Sequence, residues 1–264
     1  MLAIALAATV AIFPSLAPPS PQRLLSQVAE LVLRARLRQC DSCEIDVKAD
    51  PASVLAGGVN GVTVRGRNWC TPMQLSCRSL DVDVGSTAID LVALTTKQRI
   101  LLKQPAEGAA AIRFSASDWD SFLLHPQLAS CVAARRSLAP APSVEFSKAG
   151  GTRLRDGCVA FPVRFGGVGL AARLRQRPDG SVECVTRPLR APATDAPDAA
   201  DVDDAAVRAG PWLAGLFETL VLDLDGCALR FRSLSLEGSG VGEPELMLEL
   251  DVCVRSFPSL DINF

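Results

Sequence analysis

Short segments in which apolar and polar residues alternate recur along this chain of 264 residues, and they constrain its fold more than any other feature. The alternation runs through Ile45 and Val47, then through Leu80, Val82 and Val84, and through several later segments. A period of two is typical of a β-strand with one buried face. Because no strand–helix–strand rhythm is visible, the pattern predicts an α+β fold with a mostly antiparallel sheet.

An amphipathic helix is predicted before the first strand, from Gln22 to Arg38. Its apolar residues recur at spacings of three and four, and arginines occupy its last turns. The two strand-rich halves of the chain can form one long curled sheet packed around this helix, which leaves an apolar groove. An ordinary packing helix is the alternative, because it has the same periodicity.

Three local signals refine this outline. A change of phase between Cys77 and Leu80 predicts a bulge or a bend. A helix is predicted to begin at Ser115 with a capping-box pattern, and a second helical segment to begin at Pro126. The segment from Ala191 to Val207 is rich in Ala, Pro and Asp, and we expect it to be a solvated, disordered acidic loop.

The first 21 residues are apolar to Phe13 and then rich in proline. The apolar run is shorter than the about 20 residues that a membrane-spanning helix needs. It is typical of a secretory or thylakoid-type signal, although the usual preceding basic residues are missing. We expect a targeting segment at 1–21, or else a frayed end of the mature domain, and a single domain over 22–264. The expected compartment is chloroplast, thylakoid-associated or secretory.

Composition argues against nucleic-acid binding. The net charge is −2, whereas phosphate recognition usually needs a strong basic excess. The chain has no tyrosine and few other aromatic residues, so a base-stacking platform is not expected. An apolar content of 48% is ample for a packed core.

No segment carries a catalytic signature. Cys40 and Cys43 form a CxxC pair, but the pair follows a helix instead of preceding one, and zinc would need two further ligands. His125 is the single histidine and is expected to cap a helix or turn; a G-x-S-x-G motif is absent. We therefore predict no enzyme activity, no catalytic residue, no metal site and no cofactor.

The stretch from Val54 to Leu128 combines a Gly-Gly turn, alternating strands, the sequence LLKQP, a further strand and a capped helix that contains Trp119. This order resembles the LmeA-like phospholipid-binding family, in a cyanobacterial or plastid-type form, and the similarity covers about Gln22 to Arg136. The resemblance implies phospholipid binding and a tubular lipid-binding fold. The family has no agreed catalytic residues, so none is transferred to this chain.

Two groups of residues are candidates for lipid binding. Apolar residues of the first helix would hold acyl chains together with the inner face of the sheet: Leu24, Leu25, Val28, Leu31 and Val32. Arg173, Arg175 and Arg177 alternate on one strand face and would meet the lipid phosphate, which guanidinium groups match in geometry. A solvated face balanced by acidic residues is the alternative for these arginines. The expected partner is a phospholipid or a membrane surface; the sequence indicates no particular protein partner.

The predicted function is non-enzymatic binding of an anionic phospholipid or another acyl lipid in an apolar groove, in contact with a membrane surface. Two alternatives stay open. One is an accessory factor or enzyme of lipid or glycan modification with an unrecognised site; the other is a structural domain with a filled core and no ligand. Alternation does not separate an open groove from a closed core, because both need the same pattern.

Overall fold

The computed structural model describes residues 21–50, 52–53, 57–90, 101–139, 142–147, 151–189, 199–224, 226–238 and 243–256. Four helices lie in these ranges: α1 (Pro21–Arg36), α2 (Ala116–Leu123), α3 (Pro126–Leu138) and α4 (Ala199–Glu218). The strands are β1 (Ser42–Lys48), β2 (Gly58–Val59), β3 (Gly61–Cys70), β4 (Ser76–Val84), β5 (Thr87–Ala88), β6 (Leu101–Phe114), β7 (Val144–Phe146), β8 (Arg153–Arg155), β9 (Cys158–Phe165), β10 (Val168–Gln176), β11 (Val182–Pro188), β12 (Val221–Leu224), β13 (Cys227–Glu237) and β14 (Glu245–Ser256).

The strands form two large antiparallel sheets, neither of which is closed, and a small pair of β2 with β5. The seven-stranded sheet has the order β1-β3-β4-β6-β14-β13-β12, and the five-stranded sheet has the order β11-β10-β9-β7 with β8 also paired to β9. The predicted α+β class and the mostly antiparallel pairing are confirmed.

The prediction of one continuous sheet is wrong for the described residues. Strands β7 to β11 pair only among themselves, while β12 to β14 return to the sheet of the first half. Tight hairpins explain the local pairing: Gly166 and Gly167, both with positive φ, connect β9 to β10, and Gly180 lies in the turn before β11.

The main core lies between the two sheets. The inner face of β9 and β10 contributes buried residues such as Phe161 and Leu170, and α2 and α4 contribute Trp119 and Phe217. Trp119 is fully buried, and its ring stacks on that of Phe217 at a centroid distance of 5.7 Å. Large aromatic side chains therefore fill the interface between the two sheets and the helices.

A second, smaller core lies at the β1 end of the seven-stranded sheet. It consists of Cys43, Ile45, Val47 and Trp69, all buried. Residues of α1 and of the following turn pack against it: Ala29, Leu33 and Leu37. Helix α1 therefore lies at the outer strand β1, away from the aromatic core.

The two helix starts predicted for the middle of the chain are confirmed. Ser115 caps α2 in a full capping box with Asp118, and Pro126 occupies the first turn of α3.

A bulge between Cys77 and Leu80, one of the two predicted possibilities, is absent from the described pairing, because β3 and β4 keep one register on both sides of this region. Asn68 of β3, which lies opposite the region, has a positive φ of 49°. A residue in the left-handed region turns the strand, so that Trp69 faces inward although strict alternation would turn it outward.

The predicted acidic loop is wrong for its second part, since Ala199 to Val207 is helical and opens α4. The first part, residues 191–198, lies outside the described residues. The helix is stabilised by contact with β11: the Thr186 hydroxyl donates to the Ala206 carbonyl at 2.5 Å, and Ala205 and Ala206 pack on the main core. The local composition predicted disorder because the apolar residues here are small. Tertiary packing overrides this local tendency and stabilises the helix. None of the described helices has the length and apolar character needed to cross a bilayer.

Candidate functional site

The inner face of the seven-stranded sheet carries apolar side chains that match in register from strand to strand. Ile45 pairs with Val64, Val64 with Val82, Val82 with Ala110, and Ala110 with Leu250. Paired residues of antiparallel strands project to the same face, so the register produces an apolar row across five strands. A neighbouring row, from Val47 on β1 onward, follows the same register.

Burial along this apolar face is not uniform. The β1 end is covered by α1, and the β14 end is covered by the aromatic core. Apolar side chains of β3, β4 and β6, where the two clusters meet, pack against one cluster or the other but are only partly buried. We call this region the inner trough; its residues are Val62, Val64, Leu80, Val82, Val84 and Ile112.

Helix α1 covers the outer edge of β1, whose other edge pairs with β3. The backbone N–H of Val47 donates to the Ser26 hydroxyl at 3.0 Å, and the Arg34 guanidinium donates to the Cys43 carbonyl at 3.1 Å. The Gln22 side chain donates to the Ala49 carbonyl. These side chains satisfy backbone groups that an edge strand would otherwise leave unpaired.

Two of the helix residues predicted to bind lipid, Val28 and Leu31, lie outside its packed face. Val28 and Leu31 are 44% and 70% exposed, and Val32 is partly buried. Leu24 and Leu25 belong to α1, but their side chains lie outside the described part. The packed face is instead the one that carries Ser26, which reaches the β1 edge, so edge pairing sets the rotation of the helix.

A polar cleft of about 450 Å³ lies beside α1 and is lined mostly by residues on the opposite face of β1 from the apolar row, although Ile45 of that row also lines it. Its lining mixes both signs of charge with neutral polar groups: Gln22, Arg23, Ser26, Gln27, Glu44, Ile45, Asp46, Lys48, Thr63 and Arg65. The two sides of β1 therefore differ sharply, one apolar and one charged.

The predicted arginines lie on the outer face of the five-stranded sheet. Leu170, Ala172 and Leu174 of β10 are buried, so Arg173 and Arg175 between and after them face outward, as the alternation predicts. Arg177 follows the strand, and its backbone N–H donates to the Ser181 carbonyl at 2.8 Å.

Acidic partners neutralise part of this charge. Arg173 lies 3.4 Å from Asp156, and Arg175 and Arg177 share Glu183, each at 2.5 Å. Such exposed ion pairs contribute little to stability. The arginines lie on the five-stranded sheet, whereas α1 packs against the seven-stranded sheet. The structure therefore does not bring the two predicted groups of lipid-binding residues together.

His125 has the structural role expected of it. Its side chain is buried and accepts a hydrogen bond from the Gln127 backbone N–H at 3.3 Å, which caps α3. Burial lowers the pKa of His125, so the imidazole is neutral at pH 7.

The described cysteines are free thiols. Burial, with a smaller contribution from the neighbouring Cys40, raises the pKa of Cys43 to about 11. Burial likewise raises the pKa of Cys77 and of Cys184 to about 12. A thiol with such a pKa is protonated at neutral pH and is a poor nucleophile. Within the described ranges, no group of three His, Cys, Asp or Glu residues is arranged to hold a metal ion.

Sequence reasoning identified the strands of the inner trough but not the trough itself. Val82 was assigned to the buried face of a strand, and only its partial burial in the folded chain distinguishes it from core residues. No signal in the sequence marks this difference, because it depends on what covers the sheet.

The sequence model of the LmeA-like phospholipid-binding family matches residues 22–242, which is most of the chain. No curated protein and no solved structure matches the chain. The family match extends well beyond the region of resemblance in the first half and includes the five-stranded sheet and every strand of the seven-stranded sheet except β14. The chain therefore belongs to the LmeA-like phospholipid-binding family.

Proposed function

We propose that this protein binds a phospholipid without chemical turnover and holds its acyl chains in the inner trough. The observation that carries the proposal is the partial burial of six apolar residues in register where two packed clusters meet. Apolar surface that is left partly open gains about 25 cal/mol for each Å² that a ligand covers. Acyl chains, which are long and apolar, match a strip that crosses several strands.

Helix α1 forms one wall of the trough in this proposal, and the aromatic core forms the other. Leu33 of α1 and Trp69 belong to the first wall, and Phe114 and Trp119 belong to the second. The sheet would thus curve around the lipid, with α1 at its outer edge, in a tubular arrangement.

The preference for anionic lipid and for a membrane surface is supported by a different region. The outer face of the five-stranded sheet carries Arg173 and Arg175, and its exposed apolar residues include Val185 at 44% exposure. Arginine matches phosphate geometry, and exposed apolar side chains beside basic ones suit a headgroup layer. This face would contact the membrane while the inner trough holds a lipid.

The inner trough is tested by making it polar. The double change Val64→Gln and Val82→Gln places two amides side by side, because these residues pair in register. The two valines together contribute about 2 kcal/mol of apolar contact, so affinity for a fluorescent phospholipid should fall by more than tenfold. Native mass spectrometry should also show less co-purified lipid.

The matched control is Arg65→Gln, which puts the same amide on the opposite face of β3, next to Val64. Arg65 is exposed and lies 3.8 Å from Asp81, so its loss costs little stability. Circular dichroism and thermal melting check that all variants fold. If the double variant folds and binds phospholipid as tightly as the control does, the inner trough is not the acyl site.

A further inference from the structure

We infer that a cleft on the outer face of the five-stranded sheet is a binding site for a phosphate monoester. This inference rests on the proposed function for the source of the ligand, a membrane lipid, and it names a second, separate site. The cleft has a volume of about 350 Å³ and is lined by Asp156, Cys158, Arg173, Arg175, Val185 and Arg187. Three arginines thus line one cavity that has a single carboxylate residue in its lining.

Strand register brings the three arginines together. Arg173 pairs across the sheet with Val185, and Arg187 lies two residues further along β11, opposite Ala171. Residues separated by two along a strand share a face, so Arg173, Arg175 and Arg187 all project to the outer side. The sequence shows the alternation on β10, but only the pairing with β11 places Arg187 beside it.

The arginines of this cleft are not equally neutralised. Arg175 has a close partner in Glu183, and Arg173 has a longer contact of 3.4 Å with Asp156. Arg187 forms no ion pair with any acidic residue in the described part of the chain. Asp156 is also 4.0 Å from Arg155, which divides its charge further. Positive charge therefore remains in the cleft, and an anion would offset the repulsion among the guanidinium groups.

The chemistry of the lining favours a phosphate monoester over a phosphodiester. A monoester carries a charge of about −1.5 to −2 at neutral pH and has three terminal oxygens, which can accept hydrogen bonds from several arginines. A phosphodiester carries a single charge and has two free oxygens. The lining of the cleft also includes the buried Cys158 and the half-exposed apolar side chain of Val185.

The decisive variant is Arg187→Gln, and the matched control is Arg153→Gln. Arg153 lies on the same outer face, is exposed and has no ion pair among the described residues, but it does not line the cleft. Both variants remove one positive charge from the same face. Any difference between them therefore reports on the cleft and not on the general charge of the surface.

Two probes separate the sources of the phosphate group. The first is inorganic phosphate, measured by calorimetric titration and by the shift in melting temperature that binding produces. The second is co-sedimentation with phosphatidylcholine vesicles that contain either phosphatidic acid, a monoester, or phosphatidylglycerol, a diester, at matched surface charge. For the wild type we expect phosphate binding and stronger sedimentation with phosphatidic acid than with phosphatidylglycerol.

Arg187→Gln should weaken phosphate binding about tenfold, as expected for loss of a charge-assisted hydrogen bond, and should abolish the preference for phosphatidic acid. Arg153→Gln should keep both. Phosphate binding without a preference between the vesicles would support the site and assign it to a soluble phosphate monoester. Equal effects of the two variants, or no phosphate binding by the wild type, would overturn the inference. Lipid retention measured by native mass spectrometry reports separately on the inner trough, so failure of either proposal is recognised independently.

Discussion

Gly66 leaves the space that the indole ring of Trp69 occupies in the smaller core. A Cβ atom at position 66 would lie 2.0 Å from the ring, and the ring is held in place because its N–H donates to the Ser42 carbonyl at 2.9 Å. This contact ties Trp69 of β3 to the first residue of β1. The absence of a side chain at Gly66 therefore leaves room for Trp69 in the cluster against which α1 packs.

We expect Gly66→Ala to lower the free energy of unfolding by about 1–3 kcal/mol, the usual cost of overpacking a core. Chemical denaturation checks this value. The control is Gly169→Ala, because a Cβ atom there would meet only Leu189 at 3.9 Å. Equal stability of the two variants would show that Trp69 moves aside at no cost.

His125 predicts a dependence of stability on pH. Burial lowers the pKa of its imidazole in the folded state, so the unfolded chain binds a proton more readily. The stability from neutral His125 is therefore fully present above the unfolded pKa of about 6.5 and is lost as pH falls toward the lower folded value. Protonation also removes the acceptor that caps α3, because Nδ1 is the unprotonated nitrogen of the neutral ring and takes up the added proton.

We expect His125→Asn, which keeps a capping side chain, to reduce the loss of stability between pH 7 and pH 5. Denaturant titrations at several pH values compare the variant with the wild type. Carboxylates titrate in both proteins, so the difference between the two curves isolates the imidazole. Identical curves would contradict this role for His125.

Among the secondary-structure elements, helix α1 covers the outer edge of β1. We expect Ser26→Ala to lower the free energy of unfolding by about 1 kcal/mol, because the Val47 N–H loses its partner. Hydrogen exchange at β1 should accelerate, while exchange at β14, in the middle of the sheet, should stay slow.

Gln27→Ala is the control for this prediction, since Gln27 is on the same helix and exposed. Both changes give alanine, which favours a helix, so differences in helix propensity do not account for a loss of stability. Unchanged exchange at Val47 in Ser26→Ala would show that water replaces the hydroxyl without cost.

Local sequence patterns predict some secondary-structure elements correctly and others not. The start of α2 was predicted correctly because a capping box depends on residues three apart. The acidic beginning of α4 was predicted to be disordered and is helical, because its stabilising contacts come from Thr186 and the main core. Contacts of this kind are distant in sequence, so a local composition does not reveal them.

For the whole molecule, we expect binding to vesicles that contain phosphatidylglycerol and much weaker binding to neutral vesicles. Each basic residue near an anionic surface contributes about 1 kcal/mol, and binding should weaken as salt rises because screening acts over about 8 Å at physiological ionic strength. The triple change Arg173→Gln, Arg175→Gln and Arg177→Gln should reduce sedimentation. The loss of binding free energy should be smaller than the sum of three such contributions, since Asp156 and Glu183 already neutralise part of this charge.

Salt-independent sedimentation that is equal for neutral and anionic vesicles would rule out the electrostatic contribution of the outer face. The inner trough would then remain as the lipid site, because it depends on apolar contact only. Measurement at two ionic strengths with one vesicle size keeps the comparison free of curvature effects.

The sequence by itself determined the α+β class, the strands, the outward direction of Arg173 and Arg175, and the family, because these follow from local periodicity and from the order of elements. Tertiary structure decided that the strands form two sheets, that α1 covers the edge of β1, and that Arg187 joins the arginines of β10 in one cleft. It also decided which apolar residues remain partly open, such as Val64 and Val82. The physical reason is that burial depends on which distant element covers a surface, and alternation is the same whether that surface is covered by protein or by lipid.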